Sequence, residues 1–242
     1  MVSSETKNRV HDTLKELLTR EDSVQLHGYT PASGLPSLRS AIAADLRARL
    51  NAPVFEDGIY VCCGTEAGLA ACCRALLAPG EEAIVLEPSS PELRVFVEAA
   101  GGSFCALSTP DPDALAAAVS DKTRLLILSS DRFFAEGLAH LTAILNDAQT
   151  RFGHPLYLLA VERYGNAPAL CSYDNTVACF PFGEALAMPG ERIACLVVSD
   201  RAADNADVFA RIAGASRAMG YVNTPSLMQR VVERCLDLVA EG

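Results

Sequence analysis

The hydrophobic positions of this chain follow two alternating patterns. Apolar residues spaced three and four apart, as in Val10, Leu14 and Leu17, predict amphipathic helices. Short apolar runs between turn-forming residues predict strands that are buried on both faces. The predicted helices cover residues 2–19, 36–50, 64–77, 91–100, 111–119, 138–152, 184–188, 205–219 and 226–239. The predicted strands cover residues 59–62, 83–86, 104–107, 124–129, 156–161, 176–180 and 193–198.

The order of these elements predicts an α/β fold. Strands that alternate with helices at short spacing build a mostly parallel sheet that is sandwiched by helices. The chain has no internal repeat, linker or low-complexity tract, so residues 1–242 are interpreted as one domain. Ligands of such sheets bind at the carboxyl ends of the strands. Those ends fall at residues 64–65, Ser89, 130–131, 161–162 and 181–184.

Composition and charge exclude several classes of function. A net charge of −10 argues against nucleic-acid binding, and no apolar run is long enough to span a bilayer. The amino terminus has no apolar signal core, so a cytoplasmic protein is expected. The nine cysteines lack zinc-site spacing and lie mostly in apolar runs. They are predicted to be buried thiols in a reducing compartment, and no metal site is expected.

Residues 175–199 organise the predicted site. A strand ends at Pro181, and a short helical run then begins at Glu184. Arg192 follows a Pro189-Gly190 turn, from where its side chain can reach back to an anion. This layout presents Glu184 at the end of the sheet.

The same residues resemble the cofactor-lysine region of class I and II aminotransferases, the aspartate-aminotransferase-like enzymes of fold type I that use pyridoxal phosphate (PLP). The family pattern is roughly Ser-x-Ser-Lys-x-x-x-x-Pro-Gly-x-Arg-x-Gly. Residues 181–194 read Pro-Phe-Gly-Glu-Ala-Leu-Ala-Met-Pro-Gly-Glu-Arg-Ile-Ala. Residues 27–39, 75–82, 156–164 and 221–229 resemble further motifs of the family in the same order. The resemblance implies the large, cofactor-binding domain of that fold, with the small domain missing.

The resemblance also implies a partly retained phosphate-binding cup. Its residues are Gly64 and Thr65 at a helix start, Arg192, and Tyr29, which in the family reaches across a dimer. The implied partners are therefore PLP or another phosphate-bearing small molecule, and a second copy of the chain.

The departures from the family affect the reacting groups. Glu184 stands at the lysine position, and Val161 stands where an aspartate pairs with the pyridine nitrogen. Ser89 replaces the aromatic residue that stacks on the cofactor ring, and residues 130–137 replace an asparagine-bearing loop. The three lysines, Lys7, Lys15 and Lys122, are predicted to lie away from the strand ends.

These substitutions predict the loss of transamination. A carboxylate cannot form an imine with the cofactor aldehyde, and Val161 cannot keep the pyridine protonated. The carboxylate at position 184 would also repel the phosphate of the cofactor. At about 5 Å and an effective dielectric near 20, this repulsion costs roughly 3 kcal/mol for each negative charge on the phosphate. That exceeds the roughly 1 kcal/mol that a helix N-terminus contributes to anion binding. Glu184 is therefore expected to disfavour bound PLP.

Three functions remain open at this stage. The favoured hypothesis is an aminotransferase-like pseudoenzyme, with no catalytic residue, that either serves as a binding or partner protein or is a decayed paralogue. The second is a PLP-dependent aminotransferase of amino-acid metabolism that another chain completes. The third is a non-PLP enzyme or binding protein that reuses the cleft, with Glu184, Glu162 and Tyr164 as its reactive groups.

Individual side chains also have alternative interpretations. Glu184 is either a new general base or, as we expect, the ion-pair partner of Arg192. Glu162 and Tyr164 are either a catalytic pair or, as we expect, packing and helix-contact residues. Phe133 and Phe134 are expected to fill the vacated pocket, with a contact surface as the alternative.

Overall fold

The computed structural model describes residues 2–51, 54–108, 111–129 and 135–241. Seven strands form one sheet: β1 (Ile59–Cys62), β2 (Glu82–Leu86), β3 (Ser103–Leu107), β4 (Thr123–Ser129), β5 (Tyr157–Val161), β6 (Thr176–Phe180) and β7 (Ala194–Val198). The described helices are α1 (Ser4–Arg20), α2 (Ser23–His27), α3 (Pro36–Leu50), α4 (Thr65–Leu76), α5 (Glu92–Ala99), α6 (Pro112–Ala118), α7 (Ala135–Phe152), α8 (Pro168–Ser172), α9 (Phe182–Ala185), α10 (Asn205–Ala218), α11 (Ser226–Arg234) and α12 (Leu236–Glu241).

The sheet is mostly parallel, as predicted. Its strand order is β1-β7-β6-β5-β4-β2-β3, and β7 runs in the direction opposite to the other six described strands. Because β7 follows β6 through the short turn region 181–193, it returns beside β6 in the opposite direction. The carboxyl ends of β1, β2, β4, β5 and β6 therefore meet at one edge, where the amino end of β7 also lies.

Helices cover both faces of the sheet. One face packs against α4, α5 and α10 through a core that includes Leu69, Ile127 and Leu196. On the other face, α1, α3 and α11 cover the part of the sheet formed by β1, β7 and β6. On the same face, α6 and α7 cover the part formed by β5, β4 and β2. Alternate residues of each strand enter the two cores, which explains why the strands read as continuously apolar.

The structure differs from the sequence-based assignment in two kinds of place. The last predicted helix is divided into α11 and α12 at Cys235, whose ψ of 19° departs from the helical value. The predicted helix 184–188 is instead the four-residue α9 followed by a 3₁₀ turn at Pro189–Glu191. Helices α2 and α8 were not predicted, because five residues are too few to show a helical period.

Six of the nine cysteines are buried and all nine are free thiols, in agreement with the prediction of buried thiols. Within the described residues, no group of three metal-ligating side chains could hold a metal ion. Nor does any helix in those residues combine the length and hydrophobicity of a membrane span.

The buried thiols predict a loss of stability in alkali. Burial raises the pKa of Cys179, which lies on β6, from its ordinary value to about 12. The unfolded thiol ionises near pH 9 and the folded one does not, so stability present below pH 9 is lost between pH 9 and 12. The loss is about 1.4 kcal/mol per pH unit for each such thiol.

Urea unfolding under reducing conditions at pH 9, 10 and 11 tests this expectation. The free energy of unfolding should fall less steeply with pH in Cys179→Ala than in the wild-type chain. Equal slopes would show that the thiol already ionises in the folded protein.

Candidate functional site

The candidate site begins where β1 passes into α4. Gly64 is the N-cap of α4 and adopts a φ of +91°, a left-handed conformation that favours glycine. Gly68 N–H is the first of this helix to donate to a backbone carbonyl, that of Gly64. For Thr65, Glu66 and Ala67, no backbone acceptor occurs among the described residues. Their N–H groups form the positive end of the helix, which favours a negatively charged group.

The turn region 181–193 forms the other wall. After α9, Met188 N–H donates to Gly183 O, and Gly183 N–H donates to Ile193 O at 3.1 Å. Arg192 adopts a left-handed φ of +51°. Its side chain lies back across the start of α4, beside Gly64.

The Arg192 guanidinium lies directly on Gly64. A Cβ atom at Gly64 would stand 2.9 Å from Nη2 of Arg192, closer than real Cβ contacts. Glycine at position 64 therefore serves both the backbone conformation and the close approach of the arginine.

Glu66 is the anionic partner of Arg192. Nη2 of Arg192 donates to Oε2 of Glu66, which stands on the first turn of α4. Nη1 donates to Pro189 O at 3.4 Å. The expected ion pair between Glu184 and Arg192 is wrong, because Arg192 is turned toward Glu66 and Glu184 is exposed on α9.

The space inside this cup is small. The cavity measures about 20 Å³, which is close to the room needed by one water molecule. Its lining residues are Gly64, Thr65, Pro181, Gly183, Glu184, Pro189, Arg192 and Ile193. Three of the four predicted cup residues, Gly64, Thr65 and Arg192, are therefore brought together.

Two carboxylates make this edge of the sheet acidic. The pKa of the Cys179 thiol is raised first by burial and then by the nearby carboxylates of Glu66 and Glu184. Both acids therefore lie near the Cys179 thiol on β6. Arg192 balances only one of them.

Glu162 and Tyr164 are core residues, as expected. The Glu162 carboxylate is 1% exposed and accepts hydrogen bonds from Ala169 N–H at 2.8 Å and Leu170 N–H at 3.3 Å, at the start of α8. The Tyr164 ring packs edge-on against Phe180 and Phe182, on the face opposite α4. Neither side chain reaches the cup.

The other departures from the family pattern are at Val161, at Ser89 and in the segment that begins at residue 130. Val161 ends β5 and packs against the core under α4, on the same face as the cup. Ser89 follows β2, and its N–H donates to Glu87 Oε2 at 2.6 Å. Residues 130–134, including Phe133 and Phe134, lie outside the described residues, so the prediction that they fill the pocket stays a prediction.

None of the three lysines lies on the elements that form the cup. Lys7 and Lys15 are exposed on α1, which packs on the opposite face of the sheet. Lys122 is exposed in the turn before β4, at the amino end of the parallel strands. The expectation that no lysine stands at the strand ends agrees with these positions.

Tyr29 stands apart from the cup on an exposed loop. Its side chain is 96% exposed, and Tyr221 and Val222 are also exposed on a neighbouring loop. Asn223 joins the two loops by donating from Nδ2 to Thr30 O at 2.5 Å. The two loops together expose apolar side chains at the surface.

Two residues of this region were missed by the sequence reasoning. The only signal for Glu66 in the sequence was its position on the first turn of a helix, which is a common position for an acid. Gln229 is fully buried and its side chain binds the backbone and side chains of the loop that carries Tyr29. In the sequence it was noted only as the last residue of the motif at 221–229.

Comparison with known proteins places these features in context. Residues 3–130 match the family model of class I and II aminotransferases. A probable aspartate/prephenate aminotransferase of Thermus aquaticus is 29% identical over 181 residues, covering 68% of this chain and 47% of the relative. The methionine aminotransferase of Escherichia coli is 27% identical over 233 residues, covering 88% of this chain and 58% of the relative.

Solved structures show the same likeness. An amino transferase from Eubacterium rectale superimposes with a TM-score of 0.90 at 35% identity, covering 94% of this chain and 63% of that one. The aspartate aminotransferase of Thermus thermophilus with maleate shares the fold, with a TM-score of 0.79 at 21% identity. The chain spans about half the length of the Thermus relatives it matches.

Proposed function

We propose a function for this chain from the premise that it belongs to the class I and II aminotransferase family, to whose model just over half of it matches. It is a member that does not transfer amino groups: a pseudoenzyme that keeps the large-domain fold and part of the phosphate cup. The observation that carries this proposal is the absence of a lysine amine at the cup. The three lysines stand on α1 and at the amino end of β4.

The residues at the cup do not fit PLP held in the family's manner. We assign Glu184 to the lysine position and Val161 to the position of the pyridine-binding aspartate. An exposed carboxylate there offers no amine for a covalent bond, and valine offers no anion to a pyridinium. Arg192 is paired with Glu66, and the cavity beside the pair measures about 20 Å³.

Two further statements belong to this proposal. The exposed loops of Tyr29 and Tyr221 support a homodimer through this surface, with residues 1–242 acting as one large-domain unit. Nine free cysteines, six of them buried, support a cytoplasmic location, where thiols remain reduced.

The third function, a new enzyme in the old cleft, is disfavoured by geometry. Glu162 is engaged by the start of α8, and Tyr164 packs in the opposite core. Only Glu184 of that trio lines the cup.

Covalent trapping tests the proposal. The purified full chain is mixed with PLP at micromolar concentration, reduced with borohydride and mapped by mass spectrometry, with amine transfer to an α-keto acid measured in parallel. We expect no amine transfer, and only substoichiometric adducts spread over the exposed lysines. The matched control replaces Lys7, Lys15 and Lys122 by arginine and should remove the adducts on lysine.

A stoichiometric adduct at one residue, together with amine transfer, would contradict the proposal. That result would instead support an aminotransferase whose active site this chain contributes to. Amine transfer that appears only after a second chain is added would point to the same conclusion.

A further inference from the structure

A cavity of about 410 Å³ lies at the edge of the sheet opposite the cup. It is formed where the amino end of β1 meets the segment that follows β7, and the start of α10 supplies one wall. Ligand pockets typically measure roughly 300–1,000 Å³, so this volume suits a small molecule. The cavity shares no lining residue with the cup, and it is therefore a separate candidate site.

Asp200 gives this cavity a carboxylate that lacks a donor. Its Oδ2 atom is buried and has no hydrogen-bond partner among the described residues. Burial raises the pKa of Asp200, and the Phe55 N–H and the Arg47 guanidinium oppose this shift only in part. A buried carboxylate oxygen without a donor costs free energy, so this position favours a ligand that brings a charged N–H group.

Arg39 gives the same cavity a positive charge. Its Nε and Nη2 donate to Glu56 O at 3.0 and 2.6 Å, and its Nη1 donates to Ser33 Oγ at 3.2 Å. These neutral acceptors fix the guanidinium. Its carboxylate contact is with Asp57 at 3.4 Å, and the Asp57 side chain is 96% exposed. Because an ion pair with so exposed an acid is weak, Arg39 keeps the capacity to bind the carboxylate of a ligand.

The helix α10 gives the cavity an apolar wall. Phe209 and Ala206 line it, and the Phe209 ring packs edge-on against Tyr60 with 6.1 Å between the ring centroids. Asn205 Nδ2 donates to Asp200 O at 3.3 Å, which joins the segment that carries the acid to the start of the helix. One cavity therefore combines an acid, a guanidinium and an aromatic surface.

We propose that this cavity binds a small zwitterion with an apolar side chain, of the α-amino-acid class. The ammonium group of the ligand donates to Asp200, its carboxylate accepts from Arg39, and its side chain packs on Phe209. The ion-pair partner of Arg39 is Asp57 and not Asp200, so one zwitterion can satisfy both charges of the cavity. A simple amine or a simple carboxylate would satisfy only one of them. The inference goes beyond the proposed function and uses no residue of the cup.

Isothermal calorimetry with L-leucine on the full chain at low ionic strength tests the proposal. We expect leucine to bind at the cavity. Two analogues that each lack one charge, 3-methylbutylamine and 4-methylpentanoate, should bind about tenfold or more weakly. Hydrogen exchange then locates the ligand, because leucine should slow exchange at residues 56–58 and 200–205 and leave residues 65–67 unchanged.

Asp200→Asn tests the role of the acid, because it keeps the size of the side chain and removes its charge. We expect it to bind leucine about tenfold or more weakly and to bind 4-methylpentanoate as the wild-type chain does. A purely structural effect would weaken both compounds equally. Asp237→Asn, which removes an exposed acid paired with Arg9, is the matched control and should leave leucine affinity unchanged.

A second variant does not depend on Asp200. Ala206 is exposed on α10 and lines the cavity, so Ala206→Phe should fill part of the space and weaken the binding of all three compounds.

Four results would overturn the proposal. They are the absence of leucine binding, equal affinity for leucine and both analogues, an equal loss for leucine and 4-methylpentanoate in Asp200→Asn, and leucine affinity that is unchanged in Ala206→Phe. Slower exchange at residues 65–67 alone would place leucine at the cup and would also overturn it. Covalent trapping with PLP reports on lysine amines, so these outcomes are independent of the test of transamination.

Discussion

Replacement of Glu162 by alanine is expected to lower the free energy of unfolding by about 3–5 kcal/mol. The carboxylate is 1% exposed and accepts hydrogen bonds from Ala169 and Leu170 at the start of α8. A hydrogen bond to a charged group contributes about 1.5–3 kcal/mol, and truncation leaves two buried N–H groups without this acceptor. The helix α8 should lose its fixed position against β5 and α7.

Urea unfolding followed by circular dichroism measures this loss. Glu162→Gln keeps the volume and one acceptor oxygen, so it should cost less than Glu162→Ala. Glu98→Ala, which removes an exposed acid paired with Arg94, is the surface control and should change stability by less than about 0.5 kcal/mol. A change in Glu162→Ala as small as this control would show that the carboxylate does not hold α8.

Replacement of Gln229 by alanine is expected to cost about 3 kcal/mol and to loosen the loop that carries Tyr29. Gln229 is fully buried, and its Oε1 accepts from Leu35 N–H at 2.7 Å. Its Nε2 donates to Thr30 Oγ1 at 3.0 Å and to Thr224 O at 2.9 Å. One side chain thus joins the loop before α3 to the loop before α11.

Two measurements separate the parts of this effect. Urea unfolding gives the loss of stability, and hydrogen exchange at Leu35 N–H reports the opening of the loop. Gln25→Ala, an exposed glutamine on α2, is the matched control and should leave both unchanged. Unchanged exchange at Leu35 in Gln229→Ala would mean that Gly34 and its close contact with Val61 hold the loop without the glutamine.

The sequence was a good guide to the elements of the fold because their patterns are local. Each of the seven strands was predicted within about one or two residues, since a buried strand is an apolar run between turn residues. The same patterns located the site at the carboxyl ends of the strands, because strand and helix alternation leaves one edge open. The helix α8 was missed because five residues are too few to show a helical period, and because its start is stabilised by Glu162, which stands six residues before the helix.

The candidate site was only partly predictable, and Arg192 shows why. Its place after the Pro189-Gly190 turn indicated an anion partner, and Glu184 was the acid nearest in sequence. The partner in the structure is Glu66, which is 126 residues away along the chain. Arg192 also has a left-handed backbone, and the residue types around position 192 signal neither this conformation nor so distant a partner.

The sequence by itself determined which reacting groups this chain possesses: three lysines, all distant along the chain from the turn at 181–193, and the acid Glu184 inside that turn. The composition determines which reactive side chains are present, and the spacing of the apolar residues determines the helix, strand or turn on which each of them lies. The tertiary structure alone decided which of these groups meet. The strand order and the reversed direction of β7 bring the amino end of β7, and with it Arg192, beside the start of α4. Charge pairs form between residues that lie close in space, whatever their separation along the chain.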